Sequence, residues 1–180
     1  QFSQGCRRQM RIAIASDHAA LELKAALVQW LGEAGHEVSD LGPHDASSVD
    51  YPDYGYKLAQ AIASGDAERG IALCGSGIGI SIAVNRNPAC RCALVSEPLS
   101  ARLSREHNDA NVIAMGARLI GIEMAKACLD AFFSTPFGGD RHQRHPVGSV
   151  ERSSRRHQGP GDTERGLDGP AATRADPNPA

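Results

Sequence analysis

Cys74 stands directly before Gly75, Ser76, Gly77, Ile78 and Gly79, and an apolar stretch follows. Glycines at such a place let the backbone turn tightly, with several N–H groups pointing into one space at the positive end of the next helix. That arrangement suits an anion, and the same field favours a thiolate at Cys74, a candidate base or nucleophile. An isolated cysteine at a strand end is usually a small buried hydrophobe; the adjoining glycine loop shifts the balance to chemistry. Two other loop chemistries fail on spacing. Ile80 occupies both the third glycine position of a dinucleotide fingerprint and the arginine position of a cysteine-phosphatase loop, and no Gly-Lys-Ser/Thr triplet marks a nucleoside-triphosphate loop.

Further groups invite the same question. Asp17 and His18 lie side by side, where an acid and an imidazole can move protons or hold a phosphate; a cap on the following helix is an equally good reading of Asp17. His107 and Asn108 fall just ahead of an apolar run, on the amino-terminal side of the strand it would form. A neighbouring subunit would have to use them, unless they are only a polar surface turn. GGDRHQRHP (138–146), with Arg118 upstream, offers guanidinium forks for phosphate oxygens, although a short basic stretch is often simply solvated. No aromatic residue interleaves with these charges, which argues against nucleic acid. Cys90 and Cys92 would share one face of a strand, but no matching pair completes a tetrahedral metal site, so they read as packing.

Five apolar runs, at 11–15, 36–41, 70–74, 91–95 and 111–116, must position these groups. Amphipathic stretches separate them, the pattern of repeated strand–helix–strand units. The helix faces are Leu23, Leu27, Trp30, Leu31 and Ala34, closed by Gly35; Tyr54, Leu58 and Ile62; Ile78 and Ile82; Leu99 and Leu103, opened by Pro98; and Ile122, Leu129 and Phe132. Right-handed crossovers then build an α/β, Rossmann-like three-layer sandwich, a five-stranded parallel sheet with helices on both faces. Ligands of such sheets bind beyond the carboxyl ends of the strands.

With 180 residues, 41% of them apolar, and a formal net charge of −2, the chain suits one domain, spanning 10–152. Residues 1–9 read as an extension before Met10, the natural start. Residues 153–180 lack the apolar material to offset the entropy of ordering and read as a disordered tail. The five cysteines, odd in number and scattered, fit a reducing compartment, with cytoplasm the default. No apolar run approaches the roughly 18 residues that span a bilayer, so no membrane is expected.

Together, SDHAA (16–20), DYPDYG (50–55), CGSGIGISIAVN (74–85), SEPLSARLSREHNDANVIAMGAR (96–118) and GGDRHQRH (138–145) resemble ribose-5-phosphate isomerase type B and its galactose-6-phosphate isomerase relatives. The resemblance spans essentially Met10 to Arg152. It implies interconversion of an aldose phosphate and a ketose phosphate, as in the pentose phosphate pathway, through a cis-enediolate. It further implies no metal and no organic cofactor, in a homodimer or homotetramer with composite active sites. Cys74 then resembles the base that moves a proton between C1 and C2, since members carry either a cysteine here or a glutamate slightly later. Gly75, Gly77, Ile78 and Gly79 resemble the amides that stabilise the enediolate, with Ser76 beside them. Asp17 and His107 resemble the ring-opening pair, Asn108 a sugar-hydroxyl contact, and Tyr51 a pocket residue from the partner. His18, Arg118 and Arg141 resemble phosphate ligands. A second arginine is common four residues after the first; here His145 stands there, with Arg144 next to it.

Ribose 5-phosphate is the favoured substrate, with allose 6-phosphate and galactose 6-phosphate open. Two other classes compete. A module that binds a sugar phosphate without turnover would keep its function without Cys74, and a thiol-dependent hydrolase would release inorganic phosphate.

Overall fold

The structure is a computed structural model that describes residues 8–44 and 51–139, apart from the side chain of Tyr51. It contains β1 (Arg11–Ser16), a 3₁₀ turn (His18–Ala20), α1 (Leu21–Glu33), β2 (Glu37–Asp40), α2 (Tyr51–Ala63) and β3 (Arg69–Cys74). There follow α3 (Ile78–Val84), β4 (Cys92–Leu94), α4 (Pro98–Asn108), β5 (Val112–Gly116) and α5 (Ile122–Ser134). Each of the five expected strands is present, with every end within one residue of its expected place: β1 and β3 run one residue longer, and β2, β4 and β5 are shorter. They form a single sheet in the order β2-β1-β3-β5-β4, with every pair parallel.

Strand alternation sorts side chains by size onto the two faces. Ile12, Ile14, Ile71, Leu73, Ile113 and Met115 pack with Leu27 and Leu31 of α1, Ala101 of α4, and Leu129 and Phe132 of α5. The opposite face carries Ala13, Ala15, Ala72, Cys74 and Ala114 against Leu58 of α2 and Ile80 and Val84 of α3. Small residues let α2 and α3 lie close to the sheet and to each other. At their crossing a side chain on Gly55 would come within 2.7 Å of the Ala83 methyl group. Cys74 therefore projects from the small-residue face.

Helix α1 closes as the glycine implied: Gly35 adopts φ 87, its N–H reaches the Gly32 carbonyl, and the His36 N–H reaches Leu31. Two helix faces differ from expectation. Ile78 and Ile82 are 51% and 60% exposed, and Ile80, Ala83 and Val84 are buried in their place; Leu99 is 55% exposed, while Ala101 points inward. Almost every side of α3 is apolar, so spacing alone cannot orient it, and the turn at Gly77 decides. Ala34 is exposed because it caps α1 and does not line its buried face.

Three core thiols lend the fold a pH dependence. Burial pushes Cys90 and Cys128 up to about 11 and Cys92 up to about 12, from an ordinary 9.0. Between those values the folded chain holds protons that the unfolded chain releases. Stability is therefore fully present below pH 9 and lost as pH rises toward 11. The urea midpoint is expected to fall between pH 8.5 and 10.5, and to fall less steeply in a Cys90→Ala/Cys128→Ala variant; equal slopes would contradict the assignment.

Candidate active site

From β1 the chain crosses first to β2 on one side and then to β3 on the other, so the connections diverge between β1 and β3. Ligands of parallel sheets bind at such a divergence. Ser16 is in register with Leu73, and Cys74 with Gly116. The ends of β1, β3 and β5 are then tied together by the backbone: the Asp17 N–H donates to Leu73 at 3.0 Å and the Ala117 N–H to Cys74 at 2.9 Å.

Around Cys74 the geometry is tight. The residue is 5% exposed, and its Sγ accepts the Gly77 N–H at 3.0 Å. Gly77 has φ 79, and a side chain there would stand 2.6 Å from Leu94 and 2.9 Å from the Met115 carbonyl carbon, so only glycine fits on both counts. The Ile78 N–H donates to Ser76 Oγ at 3.3 Å. Two amides of the loop are thus engaged within it, one on the sulfur itself. Gly75 and Gly79 are half-buried.

Arg118 leaves the end of β5 and returns over the loop. Its N–H donates to the Gly75 carbonyl at 3.0 Å, and a side chain on Gly75 would lie 3.4 Å from its Nε. The guanidinium is exposed. A thiol, glycine-loop amides and a cation consequently share one edge of the sheet.

Asp17 caps the 3₁₀ turn, accepting the Ala19 N–H at 2.9 Å, and His18 is exposed beside it. The capping reading of Asp17 is realised, at the very edge where acid–base work would also place it. Next to this turn, Lys24 fastens the segment that follows β2. Its Nζ, almost wholly buried, donates to Asp40 and to the Pro43 carbonyl, both at 2.6 Å, and the Ser16 N–H donates to Gly42 at 3.1 Å.

His107 and Asn108 are exposed at the last turn of α4, ahead of β5. They lie at the amino-terminal edge, separated from Cys74 by the length of a five-residue strand, about 16 Å. Within one chain the fold does not bring them to the thiol. Arg141, Arg144, His145 and the side chain of Tyr51 lie outside the described residues.

Gly116 escaped notice in the sequence. A side chain there would come within 2.7 Å of both the carbonyl carbon and oxygen of Ser76, so β5 can pass under the Cys74 loop only as glycine. The available signal was a glycine ending the apolar run that pairs with the Cys74 strand. Cys90 and Cys92 pack on the small-residue face as expected. Among the described residues no cluster of three or more His, Cys, Asp or Glu is placed to hold a metal ion, and no helix is long and apolar enough to cross a membrane.

A family model described as Ribose/Galactose Isomerase matches residues 12–146. The chain is 45% identical over 134 residues to ribose-5-phosphate isomerase B of Escherichia coli, covering 74% of this chain and 90% of that protein. Among solved structures, ribose-5-phosphate isomerase B of Clostridium thermocellum superposes with a TM-score of 0.80 at 43% identity, covering 83% of this chain and all of that one. The ribose 5-phosphate isomerase of Thermotoga maritima gives 0.78 at 48% identity, covering 81% and 99%.

Proposed function

Because the chain belongs to the ribose/galactose isomerase family, whose members of this type are aldose–ketose isomerases, we propose that it interconverts ribose 5-phosphate and ribulose 5-phosphate, with Cys74 as the base. The observation that carries this reading is the N–H of Gly77 aimed at Cys74 Sγ on the carboxyl edge of β3, with Arg118 folded over the next residue. Moving a carbon-bound proton needs a base held rigidly, donors for the enediolate oxygen, and a distant phosphate grip that fixes the reacting carbons.

In this scheme Cys74 takes the proton from C2 and returns it to C1. The amides of Gly75 to Gly79, with Ser76, stabilise the developing oxyanion, those of Gly77 and Ile78 exchanging their bonds to Cys74 Sγ and Ser76 Oγ for it as Sγ takes up the proton. Asp17 and His107 open the furanose ring, Asn108 binds a sugar hydroxyl and Tyr51 lines the pocket. His18, Arg118, Arg141 and either Arg144 or His145 hold the phosphate. Because His107 and Asn108 occupy the opposite edge from Cys74, the complete site is composite, and the working unit is a homodimer or a pair of such dimers.

A coupled assay against ribose 5-phosphate, allose 6-phosphate and galactose 6-phosphate tests the substrate. The pentose phosphate is expected to give the highest kcat/KM, by about ten- to a hundredfold, the range one carbon's worth of pocket can discriminate. Chelator is expected to leave the rate unchanged. A preference for a hexose phosphate would favour the second reading that the family's description includes, and loss of activity on chelation would contradict a metal-free mechanism.

A further inference from the structure

At the amino-terminal edge of the sheet, Asp109 ends α4 immediately after His107 and Asn108, and among the described residues it is the only non-glycine with positive φ, at 47. Aspartate tolerates that conformation better than most side chains, yet it persists only where the surroundings hold it. Here they do. Oδ1 accepts from Arg105 Nη1 at 2.8 Å, Oδ2 accepts from Arg91 Nη2 at 3.0 Å, and the Asp109 carbonyl accepts from Arg91 Nε at 2.9 Å.

Arg105 is 3% exposed and also donates to the Ala110 carbonyl, with its guanidinium 5.8 Å from the Phe132 ring. A guanidinium so buried needs a fixed counter-charge. Arg91 is held in turn: its N–H donates to Asn111 Oδ1 at 2.8 Å, and Asn111 Nδ2 donates to the Ala89 carbonyl at 2.8 Å. One carboxylate therefore ties the end of α4 to the segment entering β4 and to the start of β5. The exposed residues carried by that turn are His107 and Asn108.

We infer that Asp109 is a positioning residue: clamped between Arg91 and Arg105, it fixes the turn that presents His107 and Asn108 to a substrate bound at Cys74 of a second copy of the chain. The inference rests on the composite site proposed above. Asp109→Gly keeps the left-handed turn accessible and removes the clamp. Its kcat is expected to fall about tenfold or more with KM changed less than about twofold, and Asp109→Asn, which also tolerates the turn, to recover part of the loss.

Co-expression separates the two layers of the idea. Cys74→Ala paired with His107→Ala is expected to restore about a quarter of wild-type activity, since random pairing makes half the dimers mixed and each mixed dimer carries one intact site. Cys74→Ala paired with Asp109→Gly, or with Asp109→Asn if the glycine variant does not fold, is expected to recover similarly. Recovery in the first mixture without recovery in the second overturns the positioning role, as does a lowered Tm with unchanged kcat. Failure of both mixtures removes the composite site itself.

Discussion

Cys74→Ala is expected to lower kcat for ribose 5-phosphate by about 10³-fold, within the range that a positioned general base contributes, while KM moves less than about threefold. The split follows from the geometry. Sγ sits at the end of β3 with the Gly77 N–H upon it, whereas the Arg118 side chain lies against Gly75, the next residue. Removing the sulfur takes away the proton acceptor and leaves the phosphate grip, so binding survives. Cys90→Ala and Cys128→Ala serve as controls. Burial holds both as thiols up to about 11, and they are packed in the two core layers, so the turnover of these variants should stay near wild type. A Cys74→Ala enzyme within tenfold of wild type would assign the proton transfer to another group.

Gly116→Ala is expected to be nearly as damaging without touching any reacting atom. The added methyl group would meet the Ser76 carbonyl carbon and oxygen at 2.7 Å. Both are backbone atoms and cannot rotate away, so the Gly75–Ser76 loop must lift. A shift on the order of 1 Å at the reacting centre is worth roughly 10²-fold in rate. Gly121→Ala is the matched control, since nothing lies within 4 Å of a side chain at Gly121. Kinetics on the two variants read the effect, and near-equal kcat would show that the loop yields freely.

What could be read in the sequence divides along the range of the forces concerned. The strands were legible because Ile12 and Ile14 alternate with Ala13 and Ala15, a local pattern that survives whatever packs against it. The placing of Asp17, Cys74 and Arg118 on one edge was legible too, because they end or follow β1, β3 and β5, whose carboxyl ends a parallel sheet must gather. The inward face of α3 was not. Ile78 and Ile82 look equivalent to Ile80 and Val84 until the sheet supplies a direction. Gly116 was hidden for a related reason: its requirement arises from a loop more than thirty residues earlier, and only the register Cys74 to Gly116 reveals it. The clamp on Asp109 joins α4 to the approach to β4 and lies beyond any local pattern.

The most direct test of the thiol's role follows deuterium by NMR during turnover in D₂O. Wild-type protein should place deuterium at C1 of ribulose 5-phosphate as ribose 5-phosphate is consumed, and Cys74→Ala, still binding the sugar phosphate, should place it about 10³-fold more slowly. Exchange that continues at the wild-type rate without the sulfur would contradict Cys74 as the base.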